Sequence, residues 1–261
     1  MRIELWALEQ FPMVERDDDL AQLVVDAAAA LGNNLAHGDI VVVTGKLVSK
    51  AEGRQVELSS VVPSDRAEQL ATLTDKDARL VELVLRESVA VIRARPGNLL
   101  VRHKLGYVSA MAGIDRSNVS GDDDTVLLLP EDPDASAASI AAALAARTGL
   151  RIGVVISDSH GRPFRVGNTG VALGVSGIPA LEHLEGRPDL FGRPLTGASV
   201  VPIADLIASA ALLVSGEADE GTPIVIVRGL RINERVGHGS AASMIRSAER
   251  DLFATPDRNY P

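Results

Sequence analysis

The sequence predicts a mixed α/β (α+β) protein in which one intertwined chain builds two subdomains of mixed sheets with helices packed on them. Three observations lead there. Short apolar runs rich in β-branched residues, such as Ile40–Thr44, Gly153–Ile156 and Pro223–Val227, read as buried strands. Longer stretches between them carry the 3.6-residue apolar period of helices. Strands and helices mix without strict βαβ alternation, and no repeat or low-complexity linker divides the chain into separate beads. With 261 residues, 46% of them hydrophobic, the chain can bury a large core. Only 3% are aromatic, so that core must be built from Val, Leu, Ile and Ala.

Ile3–Leu8 alternates and reads as a first strand. Asp17–Leu31 is helical, and Asp17, Asp18 and Asp19 place carboxylates at the positive end of its dipole. A Gly38-Asp39 turn leads into the strand Ile40–Thr44, and Lys46-Leu-Val-Ser-Lys50 follows directly. Ser64–Leu73 and Asp77–Ser88 are helices, and Val89–Ile92 and Leu99–Arg102 are strands joined through Arg95-Pro96-Gly97. Gly106–Gly113 and Ile114–Val119 precede a polar break at Asp122, Asp123 and Asp124. Val126–Leu129 is a strand that stops at Pro130, and Asp134–Thr148 is a helix with Ser136 as its N-cap. Gly153–Ile156 is a strand, Ala204–Val214 a helix, Pro223–Val227 a strand and Ser240–Leu252 a last helix. The expected organisation is a single functional domain over 1–261, with about 1–10 peripheral and the tail 254–261 frayed.

The formal net charge is −9, and no Lys/Arg-rich tract stands out, so nucleic acid is not an expected partner. An acidic chain that binds an anionic nucleotide needs metal ions or a local cluster of cations. The absence of Cys excludes disulfides, Cys-ligated zinc and thiol nucleophiles. Charges interrupt the N-terminal apolar residues, and the Ala-rich stretches 135–146 and 207–214 are too short or too polar to span a bilayer, so a cytoplasmic protein without a membrane segment is expected. The sequence lacks a G-x-x-x-x-G-K-[ST] loop, a G-x-G-x-x-G between strand and helix, and a G-x-S-x-G elbow.

The densest chemistry follows the apolar run Ile152–Ile156, which gives way to Ser157-Asp158-Ser159 and then to a loop holding Gly161, Arg162, Pro163, Arg165 and Gly167. A buried strand that ends in a carboxylate and hydroxyls and opens into a Gly/Arg loop is how α/β proteins build a metal and anion site. Asp115 and Glu217 are two further acids set beside Gly, Ser or Asn next to apolar segments. Oxygen ligands from separate segments, without Cys or a paired-His motif, suit Mg2+ or Mn2+ rather than zinc. Each acid alone is also readable as a helix cap or turn residue. Between Lys46 and Lys50, one lysine can meet a phosphate, and either can be a surface lysine with a buried stem. Arg162 and Arg165 can clamp a carboxylate or phosphate, or pair with the chain's own acids. None of the five histidines has metal-ligand spacing; His160 alone stands beside a candidate site, which admits a role there, but it reads first as a simple loop histidine. Asp17–Asp19 and Asp122–Asp124 read as solvated charge runs.

Several ordered blocks carry a family resemblance: Phe11-Pro-Met-Val14 followed by Asp18-Asp19-Leu20, Gly38 through Arg54, Ala112-Gly-Ile-Asp-Arg-Ser-Asn-Val119, Leu128-Leu-Pro130 with Asp132 to Ser136, Val154 through Arg162, and Ile224-Val-Ile-Val-Arg-Gly229. In this order they resemble the coenzyme F420-0:L-glutamate ligase family, GTP-dependent enzymes that add γ-linked glutamates to a deazaflavin coenzyme. The resemblance covers nearly the whole chain. It implies that Asp115, Asp158, Ser159 and Glu217 hold two divalent cations, Mg2+ or Mn2+, and it allows a potassium ion beside them. It implies that Phe11, Pro12, Met13, Val14, Lys50, Asn118 and the loop Ser215, Gly216, Glu217, Ala218, Asp219, Glu220, Gly221, Thr222 hold GTP. Where family members carry Ser, this chain has Gly45, so a hydroxyl contact to the nucleotide is lost there and only a backbone N–H is left to serve. The expected form is the stand-alone ligase without a nitroreductase-like domain, a homodimer with its sites near the subunit interface.

The implied chemistry is amide formation through an acyl phosphate made from GTP, for which the inventory supplies carboxylates, a lysine and no covalent nucleophile. Asp158 and Lys50 are the expected catalytic residues, and Arg162 and Arg165 the candidates for substrate carboxylates. No general base is evident. Without the resemblance, the residues equally admit a metal-dependent phosphohydrolase or a non-catalytic nucleotide- or deazaflavin-binding module.

Overall fold

Runs such as Ile40–Thr44 and Ile224–Arg228 form strands because branched side chains pack well on a pleated surface, and they lack polar alternation because both faces of their sheet are covered. The computed structural model describes residues 2–196, 199–231 and 239–251. Its strands are β1 Glu4–Ala7, β2 Ile40–Thr44, β3 Gln55–Glu57, β4 Ser88–Arg95, β5 Asn98–His103, β6 Val108–Ala110, β7 Thr125–Leu127, β8 Gly153–Gly161, β9 Asn168–Ser176, β10 Glu182–His183, β11 Val200–Val201 and β12 Ile224–Arg228. Its helices are α1 Leu20–Ala30, α2 Gly45–Ala51, α3 Asp65–Thr74, α4 Ala78–Arg86, α5 Pro133–Thr148 and α6 Ile203–Ser215. The fold is mixed α/β, and the chain divides into two units. Unit 1 holds 1–51 and 131–244, and unit 2 holds 52–130 and 245–261.

Unit 1 is built on a five-stranded sheet in the order β1-β12-β2-β8-β9, in which β2 and β8 run parallel and the other neighbours antiparallel. On one face Ile40, Val42, Val155, Ala172, Val225 and Val227 pack against Ala204, Ile207, Ala208 and Ala211 of α6. The alternate residues Val41, Val43, Val154, Ile156, Ile224 and Ile226 are buried on the opposite face. Helix α5 packs on β8 and β9, and α1 on α5. Gly170 lets α6 approach β9, since a Cβ there would lie 2.4 Å from the Ala208 carbonyl oxygen.

Asp19 is the N-cap of α1, accepting from the Gln22 N–H at 3.0 Å. Helix α5 corrects the expected cap. Asp132 accepts the Ala135 N–H at 3.0 Å with Pro133 in the first turn, while Ser136 sits one turn in and donates its hydroxyl to the Asp132 carbonyl. Strand β8 also differs from expectation. It does not stop before Ser157 but runs to Gly161 and turns back into β9, which the glycines of Asn168–Ser176 hid from the apolar pattern. The expected last helix, Ser240–Leu252, is replaced by short 3-10 turns at Ala241–Met244 and Ala248–Arg250. Asp134 accepts the N–H groups of Ala241 and Ala242, and the unit boundary falls between Met244 and Ile245. Leu252, His238 and the tail 254–261 lie outside the described residues.

Unit 2 joins the sheet β4-β5-β6 and the ribbon β3-β7 to α3 and α4. Leu70, Val81, Val84, Leu99 and Val101 form one core, and Leu58, Leu80, Leu83 and Val126 a second. Asp122 and Asp124 are more than solvated loop residues. Asp122 accepts the N–H groups of Asp124 and Thr125, and Asp124 accepts that of Ser59. At the end of α4, Glu87 is a nearly buried carboxylate ringed by cations, with Arg54 Nη2 at 2.9 Å and Lys104 Nζ at 3.3 Å. The nearby imidazole of His103, whose Nε2 is 3.7 Å away and too far for a hydrogen bond, and the Lys104 and Arg54 charges outweigh burial and hold its carboxyl down at about 2, against an ordinary 4.5. Arg54 also donates to the Leu129 carbonyl, so this one pair ties β7's exit to α4.

Among the described residues no helix is long and apolar enough to cross a membrane. A depressed carboxyl pKa contributes stability that is fully present above the unfolded-state value and lost as pH falls toward the folded one. Glu87→Gln should therefore lower unfolding free energy at pH 7 by about 3 kcal/mol. In urea melts the gap from wild type should narrow between pH 5 and pH 2 (about the two pKa values). A gap constant across that range would show that the Glu87 charge does not stabilise unit 2.

Candidate functional site

Pairing in unit 1 brings distant segments to one end of its sheet. Thr44, the last residue of β2, lies beside Ser157 in the parallel pair, so α2 and Asp158 emerge together. Strand β12 is antiparallel to β1 and β2, with Ile224 opposite Val43 and Val225 opposite Ala7, so the segment entering β12 lies at the same end. The Thr44 N–H donates to the Pro223 carbonyl at 3.0 Å, and the Leu8 N–H to the Ile224 carbonyl at 2.9 Å. The Asp17 N–H donates to the Ala51 carbonyl, which draws the chain after Phe11–Val14 to the C-terminus of α2. The loops after β1 and β2, the loop before β12 and the outer half of β8 thus share the carboxyl end of the parallel strands, the usual ligand side of an open α/β sheet.

Asp158 lies within β8, opposite Val171, and Ser159 opposite Gly170. Alternation puts them on opposite faces, Ser159 toward α6 with Gly170 and Asp158 on the other side. His160, two residues on, shares the face of Asp158, and its Nε2 stands 3.0 Å from Asp158 Oδ2. The sequence reading as a loop histidine is therefore corrected, and extending the strand period by four residues is the signal that would have shown it. The other Asp158 oxygen makes no hydrogen bond among the described residues, and the side chain stays 23% exposed.

Lys50 sits in the last turn of α2 and is only 8% exposed, with no hydrogen bond or ion pair among the described residues. Burial first, and then the Lys46 charge, lower its pKa. A buried, unpaired ammonium is costly and is expected where an anion is to be bound. Gly45 opens α2 in a confined place, where a Cβ would lie 3.2 Å from Leu173 Cδ1 and 3.4 Å from the Ser157 carbonyl oxygen.

Val14 is buried, Phe11 half-buried, and Pro12 and Met13 are exposed. Ser215 ends α6 and Gly216 caps it. The loop closes on itself, with Glu220 accepting the Ala218 N–H at 2.7 Å and the Thr222 hydroxyl donating to the Ser215 carbonyl at 2.9 Å. Backbone N–H groups, its own and that of Ala218, lower the Glu220 pKa, whereas Glu217, Asp219 and Gly221 are simply exposed. Arg162 and Arg165 lie in the exposed β8–β9 turn on either side of Phe164, a residue with left-handed φ of 63°. Neither pairs with an acid among the described residues, which removes the alternative that they serve internal ion pairs there.

Asp115 and Asn118 belong to unit 2. Asp115 exchanges both backbone hydrogen bonds with Leu127 at 2.9 Å, and Asn118 adopts a left-handed φ of 57°. Arg116 donates to the Asp123 carbonyl and steadies this loop. Among the described residues, no three His, Asp or Glu side chains cluster tightly enough to hold a metal by themselves. The donors present still fit a hard cation, since Asp158, Ser159 and Glu217 offer oxygen alone and Asp158 keeps one oxygen uncommitted among the described residues. Sequence reasoning also missed Asp205, a half-buried α6 carboxylate that accepts the Ala172 N–H at 2.8 Å.

The F420-0:Gamma-glutamyl ligase family model matches residues 9–229. The chain is 43% identical over 255 residues to the coenzyme F420:L-glutamate ligase of Methanopyrus kandleri, covering 97% of each chain. It is 42% identical to that of Methanothermobacter thermautotrophicus, covering 97% of this chain and 99% of the relative, and 41% identical to that of Archaeoglobus fulgidus, covering 97% of each.

A buried lysine with a lowered pKa destabilises the fold while charged, and the penalty fades as pH rises through the folded pKa. Lys50→Met should therefore leave the ligand-free protein as stable at pH 7 or more stable, by about 1 kcal/mol. A loss of thermal stability would instead show that the ammonium has a stabilising internal partner.

Proposed function

The chain belongs to the F420-0:gamma-glutamyl ligase family, enzymes that form amide bonds, and from that premise we propose that it joins L-glutamate to F420-0 through a γ-glutamyl bond with GTP as co-substrate. The observation that carries this reading is the gathering of the β1 and β2 loops, the segment before β12 and the outer half of β8 at one end of the unit 1 sheet. Phe11–Val14, the backbone at Gly45 and the loop Ser215–Thr222 are the unit 1 segments assigned to the nucleotide, and Asn118 of unit 2 is assigned to it on the family resemblance alone. Lys50 reaches its phosphates, exchanging a buried unpaired charge for an anionic partner.

In the proposed reaction an oxygen of the acceptor carboxylate attacks the γ-phosphorus of GTP and GDP departs, leaving an acyl phosphate. The glutamate amine then attacks the acyl carbon, the C–O bond to phosphate breaks, and the ammonium proton is lost to solvent. Phosphoryl transfer asks a protein chiefly for positioning and charge neutralisation. Asp158, Ser159 and Glu217 of unit 1 would hold the two divalent cations, Mg2+ or Mn2+, with potassium as an optional further ion, and the family resemblance adds Asp115 of unit 2 to that ligand set. Bound cations of this kind neutralise phosphate charge and polarise phosphoryl oxygens. Arg162 and Arg165, which pair with no acid among the described residues, receive the carboxylates of glutamate and the acceptor. The active form is a homodimer in the cytoplasm.

Asp158→Ala should remain folded and produce no acceptor heavier by one glutamate residue, assayed by mass spectrometry with F420-0, GTP, glutamate and Mn2+. Wild-type turnover by that variant would refute the assignment of Asp158. Phosphate release from GTP without acceptor and glutamate would mark a phosphohydrolase instead.

A further inference from the structure

The His160 ring touches a proposed metal ligand, Asp158. Strand alternation puts it on the Asp158 face, and the bond to Oδ2 is 3.0 Å long. An ionised carboxylate only accepts, so Nε2 carries the proton and donates. Its side chain is 12% exposed, more enclosed than the carboxylate it holds. This arrangement occupies one Asp158 oxygen and presents the other. Asp205 braces the neighbourhood from α6. It is anchored on the Ala172 N–H, burial raises its carboxyl pKa, and the Ala172 hydrogen bond and the His160 charge pull it back. Ala172 is itself paired with Ser157 of β8, so Asp205 ties α6 to the β8–β9 pair close to Asp158.

We propose that His160 is a positioning residue, whose Nε2–H fixes the Asp158 carboxylate so that its free oxygen is preorganised for a divalent cation. Hydrogen-bonded partners of ligating carboxylates set ligand orientation, and removing such a partner weakens metal binding by about 10–100-fold. The inference rests on the reading of Asp158 as a metal ligand. It adds a residue that does not bind the cation and acts only through Asp158.

The test uses the full chain with GDP and Mn2+ as the probe, with free Mn2+ read by electron paramagnetic resonance and folding checked by thermal melts. His160→Ala should weaken Mn2+ binding by about 10–100-fold. It should raise the Mn2+ concentration for half-maximal turnover in parallel and leave kcat at saturating Mn2+ close to wild type. His160→Gln, whose amide nitrogen takes the place of Nε2, should restore most of the affinity. His160→Asn, which is too short to reach Asp158, should behave like the alanine variant and carries the test if the alanine variant does not fold. Wild-type Mn2+ affinity in His160→Asn, alongside loss of binding in Asp158→Ala, overturns the positioning role and leaves the metal assignment standing. Wild-type affinity in Asp158→Ala overturns both. A fall in kcat at saturating Mn2+ with unchanged Mn2+ affinity also overturns the proposal, since it would place His160 in the chemistry and not behind the ligand.

Discussion

In unit 1, Thr44 lies beside Ser157 in a parallel pair, and most of the site depends on that register. Because β2 and β8 run the same way, their C-terminal extensions emerge at the same end of the sheet. Lys50 and Asp158 are more than a hundred residues apart in sequence, yet each lies just beyond one of these two paired residues. The antiparallel insertion of β12 between β1 and β2 adds the loop that enters it and the loop that leaves β1. A slip of one residue in β8 would send Asp158 and His160 to the face of α6 and Ser159 away from it. Register here sets chemistry as well as packing.

Stability and site chemistry oppose each other where the strands end. The inner residues Val154, Val155 and Ile156 are fully buried, while Asp158 and His160 continue the same strand as a polar pair. Lys50 is enclosed without a counterion among the described residues, on the helix after β2. Lys50 departs from the rule that buried polar groups are satisfied internally, and such departures concentrate at functional sites. Unit 2 resolves the same problem in the opposite way. Its enclosed carboxylate, Glu87, is surrounded by Arg54, Lys104 and His103, and its charge is held at all but very acid pH.

The same residue types thus serve two purposes, separated by whether their charge is answered within the fold. Asp39 is buried and bridged by Arg228, and Asp134 is consumed by the N–H groups of Val175, Ala241 and Ala242. Both belong to the architecture. Asp158, Lys50, Arg162 and Arg165 retain unanswered capacity among the described residues. That contrast separates Asp158, Lys50, Arg162 and Arg165 from the acids that hold the frame of unit 1.

Much of this was legible in the sequence, because some signals are local. The run Ile40–Thr44 is a strand with the expected bounds, and the helices begin where Asp19, Ser64 and Asp77 can cap them. Composition narrowed the chemistry, since a chain without Cys excludes Cys-ligated zinc, disulfides and thiol nucleophiles. Local signals failed where a tertiary partner decides. Ser136 resembles a cap, but Asp132 takes the role because Pro133 starts the helix one turn earlier. Strand β9 is spaced by glycines that make sense only once α6 lies against Gly170. His160 read as a loop residue because β8 was ended at its last apolar side chain, and only pairing with β9 carries the strand on to Gly161. The sequence by itself determined which residues could do chemistry and where apolar runs would pack. Which side chains share a face, which charges find partners and which segments meet at one end of a sheet were decided by strand pairing, whose partners are remote in sequence and leave no local periodicity to read.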